Sequence, residues 1–366
     1  MTAARRRVVH ILGSLYPSGM ERMLVAAAPY WQEAGWEADI IGQGNDHPFA
    51  NDLTSAGYHV NFVRSLRTAA GLGDLARLLR ATRPDVVHIH TEGAHGPVSL
   101  VARVTLPRVR LVQTIHAMFN FHGVTVARRR LQHAVARLVR TSHVAPSWDV
   151  ADNERENWSL TCQVIENWVA DEFSQDAHID KHSATAEAPL RVAMVGNCAE
   201  VKNHQMVFRA ALGVPRVVVV HVGGSSAATQ EERALVRQLE GKLQLEMLGA
   251  RTDVAAILQS TQAFAMPSLR EGMGVALAEA LCIGLPCIIS DAPGLQWAAR
   301  EPGVLVARDT NDWIRLLRRL SEDDAFRSSV TSAAQERAAH HRERFSARRG
   351  VTEYAAIYAN VRRGRS

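Results

Sequence analysis

The sequence predicts an α/β protein of two domains, each built on a doubly wound parallel sheet. Its 366 residues are enough for two domains of ordinary size. Short apolar runs alternate with segments of helical period, which is typical of parallel strands joined by crossover helices. This alternation lapses over 174–189, a polar stretch that ends in proline, and then begins again. We therefore expect domains at 1–173 and 190–345, with 174–189 as the linker.

The N-terminal domain opens with the apolar run VVHIL at 8–12, which we interpret as a strand that ends at Gly13. A helix follows and stops at Gly35, and another is expected at 72–81, before Pro84. The other predicted strands of this domain lie at 37–42, 58–63, 84–90, 110–116, 142–147 and 162–167.

The second alternation builds the C-terminal domain. The run VALAEALCIG is a helix whose end is marked by Gly284 and, just beyond, by Pro286. A helical tail follows, and its last helix, at about 346–362, has an apolar packing face. That face consists of Tyr354, Ile357, Tyr358 and Val361. The predicted strands lie at 190–196, 217–224, 245–249, 263–268, 286–290 and 303–306.

The charge balance is basic, with a formal net charge of +5. Only three of the 42 basic residues are lysines, namely Lys181, Lys202 and Lys242. Such an excess of arginine reflects codon bias in a GC-rich genome, so it does not argue for a nucleic-acid partner. The four cysteines form no C-x-x-C pair, and no apolar run reaches the ~18 residues of a membrane span. We expect a cytoplasmic protein.

Several catalytic motifs are absent from the sequence. Five residues separate Gly13 from Gly19 after the first strand, so the G-x-G-x-x-G dinucleotide fingerprint is missing. The chain also lacks a P-loop, H-E-x-x-H and G-x-S-x-G. These absences weigh against a dehydrogenase, a P-loop enzyme, a zinc hydrolase and a serine hydrolase.

The loop before the helix VALAEALCIG carries the chemistry of an anion site. It presents Glu271, then Gly272 and Gly274, and the helix opens directly afterwards. Glycine lets backbone approach a ligand closely, and the helix N-terminus offers unpaired N–H groups suited to a diphosphate. Glu279, eight residues after Glu271, could accept hydrogen bonds from vicinal hydroxyls. The alternative is a solvated loop glutamate and a glutamate on a helix face.

A second candidate is Lys202, which stands six residues after Gly196 at the end of the strand 190–196. A lysine at the mouth of a strand can neutralise a phosphate as a point charge. The alternative is a surface lysine at the start of a helix.

Taken together, these segments resemble the retaining glycosyltransferases of family 4 over essentially the whole chain. The most specific element is E-G-x-G-x-x-x-x-E-A-x-x-x-G-x-P, here residues 271–286. The resemblance implies a GT-B fold, in which two Rossmann-like domains face a central cleft and the last helix crosses back to the first domain. The supporting segments are SGMERML (18–24), PDVVHIH (84–90), TIH (114–116), VIENWVADEF (164–173), GNCAEVKN (196–203) and LGARTDV (248–254).

The resemblance also implies roles for individual residues. Glu271 would face the donor sugar as a catalytic residue, Glu279 would hold the ribose, and Lys202 would meet the diphosphate. Arg251 would lie against the base, and Gly19 would close over the phosphates. The backbone that would contact sugar or diphosphate belongs to Gly272, Met273, Gly274 and Val275.

His116 matches a catalytic histidine near the transferring carbon and the acceptor. Without the resemblance, it would be interpreted as a core-edge histidine, as we interpret His88 and His90.

Three positions depart from the family pattern. Asn197, a predicted donor-binding residue, replaces an arginine. Its amide can hydrogen-bond an oxygen of the donor but cannot offset the charge of the diphosphate. Lys202 or a substitute arginine would have to offset that charge. Ser18 replaces the first glycine of the N-terminal turn. Trp168 replaces the glycine after Asn167, which predicts a different shape for the interdomain connection.

The implied activity is retaining transfer of a hexose from a nucleoside-diphosphate sugar, expected to be UDP-linked, to a hydroxyl of a glycan, a lipid-linked glycan or a small natural product. No cofactor and no metal are expected, in agreement with the lack of a strand-terminal D-x-D. A nucleotide-sugar 2-epimerase or a phosphorylase-like enzyme on the same fold is the alternative. A non-enzymatic protein that binds a surface through its basic charge is the third.

The segment 126–140 predicts a basic amphipathic helix, with arginines away from an apolar stripe. We expect the stripe to face the core and the arginines to face solvent. The alternative is weak peripheral contact with anionic lipid at the inner membrane face. The stripe consists of Ala127, Leu131, Ala134, Val135 and Leu138.

Overall fold

The computed structural model describes residues 6–118, 123–173, 188–225 and 227–360. It divides into two compact units. One consists of Met1–Ala170 together with Ala347–Ser366, and the other is Asp171–Ser346. The segment 174–189, where the sequence predicts a linker, lies outside the described residues except for its last two positions.

The first unit is a seven-stranded parallel sheet with interleaved helices. Its strands run in the spatial order β3-β2-β1-β4-β5-β6-β7. In chain order its elements are β1 (Arg6–Ile11), α1 (Gly19–Glu33), β2 (Trp36–Gln43), α2 (Ala50–Ser55), β3 (His59–Val63), α3 (Ala69–Thr82), β4 (Val86–Ile89), α4 (His95–Thr105), β5 (Arg110–Thr114), α5 (Val124–Leu138), β6 (Ser142–Ala145), α6 (Trp148–Trp158) and β7 (Gln163–Val164).

The second unit repeats this plan with six parallel strands, in the order β10-β9-β8-β11-β12-β13. Its elements are β8 (Leu190–Val195), α7 (His204–Leu212), β9 (Val217–Val222), α8 (Gln230–Leu239), β10 (Gln244–Met247), α9 (Val254–Gln259), β11 (Ala263–Met266), α10 (Val275–Ile283), β12 (Cys287–Ser290), β13 (Val304–Ala307), α11 (Thr310–Glu322) and α12 (Asp324–Arg344). The last helix, α13 (Ala347–Asn360), belongs to the first unit.

Both sheets confirm the predicted fold class. The central strands are buried on both faces, as Val86, Val87 and Ile89 of β4 illustrate, because a parallel sheet is covered by helices on both sides. In each sheet the strand order reverses once, between β1 and β4 and between β8 and β11. Ligands of such folds bind at the carboxyl ends of the strands beside that reversal. The loops after these four strands are therefore where a site is expected.

Trp168 fills the position where the sequence departs from the family glycine. Its indole N–H donates to the carbonyl of Met23 in α1 at 2.7 Å. Its ring also packs on α13 so closely that a Cβ at Gly350 would lie 2.2 Å from ring carbon Cε3. This tryptophan thus holds both α1 and α13 within the first unit.

The orientation expected for α5 is wrong. Leu131 and Leu138 of the apolar stripe are 66% and 79% exposed, and Ala127 and Ala134 are exposed as well. The face turned inward is instead largely polar. It consists of Arg129, Gln132, His133, Ala136 and Val139.

Buried ion pairs explain this reversal. The guanidinium of Arg129, 3% exposed, donates to Glu92 Oε2 at 3.0 Å and to both carboxylate oxygens of Glu154 at 2.8 and 2.9 Å. It also stacks over the ring of Trp158 at 5.0 Å. Two carboxylates from distant parts of the chain therefore draw a charged face of α5 inward, which leaves the apolar stripe outside. Among the described residues, no helix is both long and apolar enough to cross a bilayer.

Candidate functional site

In the second unit, the loops after β8 and β11 meet at the reversal of strand order. Lys202 Nζ donates to Glu271 Oε1 at 2.7 Å. The backbones meet as well, because Leu269 N donates to the carbonyl of Val201 at 2.8 Å. Two residues that the sequence singles out separately, 69 positions apart, are thus direct partners.

Glu271 is held by three further groups. Ser268 Oγ donates to Glu271 Oε1 at 2.6 Å, and Glu271 N donates to the carbonyl of Pro293 at 2.9 Å. Gly294 packs so tightly here that its Cβ would lie 1.9 Å from the carbonyl oxygen of Glu271, and its φ is +83°. Only glycine combines that conformation with that approach. The position of the carboxylate therefore depends on the neighbouring loop.

The helix α10 begins with free amides at the same place. Gly274 precedes it with a φ of +77°, and no side chain caps the helix. Within the described chain, the N–H groups of Val275 and Ala276 donate to no acceptor. Unpaired amides and the positive end of the helix dipole favour an anion. Glu279 is half-buried in the second turn of α10.

Asn197 braces the loop after β8. Its Oδ1 accepts from Gly224 N at 2.8 Å, although the residue is exposed. The loop after β9 comes so close that a Cβ at Gly223 would lie 2.0 Å from the carbonyl oxygen of Gly196. The side chain that stands in place of the family arginine thus joins two strand ends.

Arg251 is half-exposed and forms two hydrogen bonds with Asp253, from Nε at 2.8 Å and from one terminal nitrogen at 2.7 Å. The guanidinium lowers the pKa of the Asp253 carboxyl through these bonds. The pair fixes the guanidinium plane on the loop after β10.

The first unit holds the other two predicted site residues, Gly19 and His116. Gly19 is the first residue of α1 and is exposed. Ser18 caps this helix by accepting from Met20 N at 3.3 Å, and its hydroxyl donates to buried Glu21. Ser18 is thus the N-cap of α1 and pairs with Glu21 in the S-x-x-E spacing of a capping box, so a helix start is formed without the family glycine.

His116 lies just beyond β5 and takes part in a chain of imidazoles. His90 Nδ1 lies 2.8 Å from His116 Nε2, and His90 Nε2 lies 3.0 Å from His10 Nδ1. Burial lowers the pKa of His116 to about 4 and that of His10 to about 3. These imidazoles are therefore neutral at neutral pH.

The comparisons with known proteins identify the family of this chain. The family model described as Glycosyltransferase Family 4 matches residues 17–173, and the model described as Glycosyl transferases group 1 matches residues 175–337. Together they cover nearly the whole chain, in the order of its two units. The chain belongs to the family 4 glycosyltransferases of GT-B fold.

Individual relatives of this glycosyltransferase are distant. The chain is 26% identical to EpsF of Bacillus subtilis (strain 168), named as a glycosyltransferase, over 80% of its own length and 81% of the relative. It is also 26% identical to a GDP-mannose:cellobiosyl-diphosphopolyprenol alpha-mannosyltransferase of Xanthomonas campestris, over 83% and 84%. The crystal structure of Anabaena HepE in complex with UDP-glucose superposes with a TM-score of 0.79 at 17% identity, over 96% and 98% of the two chains.

The predicted site residues of the glycosyltransferase fall into two groups. The second unit brings together Lys202, Glu271 and the start of α10, and it places Asn197 on the adjoining loop. Gly19 and His116 lie beyond strand ends of the first unit. The Lys202–Glu271 pair is electrically neutral as a whole, so the remaining N–H donors of Lys202 and the α10 amides supply the local positive potential.

The sequence predicts core-edge positions for both His88 and His90, and it misses one contact of the second. The interpretation of His88 holds, because it bonds Tyr358 and Thr114 in the core at 2.6 and 2.7 Å. The same interpretation of His90, which lies just beyond β4, overlooks its bond to His116 after β5, a contact that no sequence pattern indicates. Within the described residues, two clusters of histidine, cysteine or carboxylate side chains bring three possible ligand atoms within 4.8 Å of one another, and neither includes Glu271. One is His10, His88 and His90, and the other is Cys198, His204 and His221.

Proposed function

We propose that this glycosyltransferase moves a hexose, with retention of anomeric configuration, from a UDP-sugar to a hydroxyl of a lipid-linked glycan, without a metal ion. The observation that carries the proposal is the meeting of Lys202, Glu271 and the uncapped start of α10 at one strand-order reversal. A neighbour of the same fold, HepE, has been crystallised with UDP-glucose, which supports UDP as the nucleotide.

Breaking the anomeric bond places negative charge on the leaving diphosphate. Positive groups that are already in position lower the cost of that charge. An ammonium has three N–H donors, and Glu271 accepts from one of them, so Lys202 can still bind phosphate oxygens. The amides of Val275 and Ala276 can bind others. These groups take the role that a divalent cation has in metal-dependent transferases, which supports metal independence.

Retention requires that the acceptor hydroxyl attack from the face that the diphosphate leaves. Glu271 is already committed to Lys202 and Ser268, so it is better placed to orient the donor sugar than to attack it. We therefore favour front-face transfer, in which the leaving phosphate accepts the acceptor's proton. His116, which is neutral, contributes a hydrogen bond near the acceptor rather than a charge.

The acceptor is proposed from the first unit and from one relative. The relative of Xanthomonas campestris is named for a diphosphopolyprenol acceptor. On α5, the exposed Leu131 and Leu138 are interspersed with exposed basic residues such as Arg130. Apolar side chains flanked by arginine suit the headgroup region of an anionic bilayer. We therefore propose weak contact between α5 and the membrane that holds the acceptor.

A thermal-shift panel of UDP, GDP, ADP and dTDP, each with and without EDTA, tests the donor and the metal requirement. We expect UDP to raise the melting temperature most, with an increment that is unchanged when both samples contain EDTA. Anomeric coupling constants of the product, measured by NMR with UDP-glucose as donor, then test retention. Absence of any nucleotide-induced shift would count against the proposal, and a shift abolished by EDTA would overturn metal independence.

A further inference from the structure

Four buried side chains with metal-binding atoms meet behind the loop that carries Asn197 and Lys202. None of them is more than 5% exposed. They come from the loop after β8, the first residue of α7, β9 and α8. The four are Cys198, His204, His221 and Glu232.

Two of their separations are close to those of a tetrahedral zinc site. Cys198 Sγ lies 3.8 Å from His221 Nε2, and His204 Nδ1 lies 3.4 Å from Glu232 Oε1. Zinc bond lengths in a tetrahedron place sulfur and nitrogen ligands about 3.6 Å apart, and nitrogen and oxygen ligands about 3.4 Å apart. One ligand atom each of Cys198, His204 and His221 lies within 4.8 Å of the others. Glu232 is not part of this group of three, so its side chain would have to shift to complete the geometry.

The cluster is also short of hydrogen bonds. Among the described residues, His204 Nδ1 and Glu232 Oε1 are buried and form no aligned hydrogen bond. His221 Nε2, the nitrogen nearest Cys198, bonds the carbonyl of Gly196 at 3.1 Å, and Nδ1 of the same ring lacks a partner within the described chain. His204 Nδ1 and Glu232 Oε1 lie 3.4 Å apart but are not aligned for a hydrogen bond. A buried polar atom without a partner destabilises a protein, so several together call for an explanation.

The other cluster, His10, His88 and His90, differs in this respect. His88 bonds Tyr358 and Thr114, and His90 bonds His10 and His116. A metal there would have to displace bonds of both His88 and His90, whereas at Cys198 it would displace the bond between His221 Nε2 and the carbonyl of Gly196. The cluster around Cys198 is therefore the better candidate.

We propose that Cys198, His204, His221 and Glu232 bind one Zn²⁺. A thiolate and a carboxylate offset the two positive charges, and two neutral imidazoles complete the four ligands, so the occupied site has no net charge to bury. Binding releases the thiol proton to solvent. The ion would tie β9, α7 and α8 to the loop that carries Lys202, which makes it a structural zinc that positions the loop.

Cobalt(II) tests the site without reference to glycosyl transfer, so the outcome is independent of the proposed function. Co²⁺ occupies tetrahedral zinc sites and absorbs visible light, and a thiolate ligand adds a near-ultraviolet charge-transfer band. We expect one equivalent of Co²⁺ to produce both absorptions in the full-length protein and Zn²⁺ to displace it. A site of histidines alone would lack the near-ultraviolet band.

Two variants and one control identify the ligands. Cys198→Ser should abolish the charge-transfer band. Cys162→Ser is the control and should retain the band, because Cys162 lies outside the cluster, even though it is the least buried of the four cysteines. His204→Gln keeps the thiol and should weaken Co²⁺ binding at least about 10-fold, which keeps the test open if Cys198→Ser does not fold. Absence of the band in the wild-type protein, or its persistence in Cys198→Ser, would overturn the proposal.

Discussion

Lys202 Nζ and Glu271 Oε1 lie 2.7 Å apart, so the lysine predicted to meet the diphosphate is also the counter-ion of the carboxylate predicted to face the sugar. Under the proposed function, this pairing links charge stabilisation by Lys202 to sugar positioning by Glu271. Donor binding can draw the ammonium toward phosphate while one of its N–H groups still holds Glu271. A substitution at either residue therefore disturbs both tasks.

Lys202→Ala should reduce kcat/KM about 10²–10³-fold, because it removes a positive group from the leaving phosphate and a counter-ion from Glu271. Asn197→Ala should reduce it less than about 10-fold, since the known partner of Asn197 Oδ1 is the backbone N–H of Gly224. Lys242→Ala, at an exposed lysine outside the site, is the matched control. Initial rates with UDP-glucose measure all three, and equal, small losses at positions 202 and 197 would contradict the assignment.

Gly294→Ala should destabilise the protein by about 2–4 kcal/mol, since it combines a left-handed φ with a forbidden contact to the Glu271 carbonyl. Because that contact positions Glu271, the stabilisation by UDP should fall as well. Gly213→Ala is the control. Its φ is −88° and its Cβ would have an ordinary 3.7 Å contact, so the melting temperature should stay close to wild type.

Gly350→Ala tests the packing of Trp168 in the same way. The new Cβ would lie 2.2 Å from the indole ring, so the ring or α13 must move, at a cost of about 1–3 kcal/mol. Gly73 is the matched control, because it lies inside α3 and its Cβ would meet nothing within 4 Å. Gly73→Ala should be stabilising by up to about 1 kcal/mol. Equal melting temperatures for the two variants would refute this account of Trp168.

The sequence predicts the strands of this glycosyltransferase well because runs of buried valine and isoleucine are a local property. The motif from Glu271 to Gly274 is likewise contiguous, so it can be recognised before its partners are known. The orientation of α5 could not be predicted. Its hydrophobic period assumes that apolar residues turn inward, whereas Arg129 is held inward by Glu92 and Glu154, which lie in distant segments.

The candidate zinc ligands escape sequence analysis for a related reason. Their positions, 198, 204, 221 and 232, follow no metal-binding motif, and only strand register and helix packing bring them together. Asn197 shows the same limit, because its role as a brace depends on the loop after β9.

The imidazoles of the first unit should make the protein labile to acid. Burial lowers the folded-state pKa of His116 to about 4 and that of His10 to about 3, from the ordinary 6.5. Between pH 6.5 and 4, the unfolded chain therefore binds protons that the folded chain does not, and stability falls as the pH falls. Each histidine contributes up to about 1.4 kcal/mol per pH unit. Melting temperatures from pH 7.5 to 5 should decline less steeply in His116→Gln, and an unchanged slope would be evidence against a lowered pKa of His116.

The double variant Leu131→Ser/Leu138→Ser separates the two interpretations of α5. If this stripe faced the core, two leucine truncations would cost several kcal/mol, whereas surface positions change stability by only about 0.5 kcal/mol each. We expect a melting temperature close to wild type, because both side chains are largely exposed.

Sedimentation of the double variant with phosphatidylglycerol vesicles should show weaker binding than wild type, and phosphatidylcholine vesicles serve as the uncharged control. Leu100→Ser, at a partly exposed leucine of α4, controls for loss of one surface leucine elsewhere. Unchanged vesicle binding in the double variant would exclude α5 as the membrane contact.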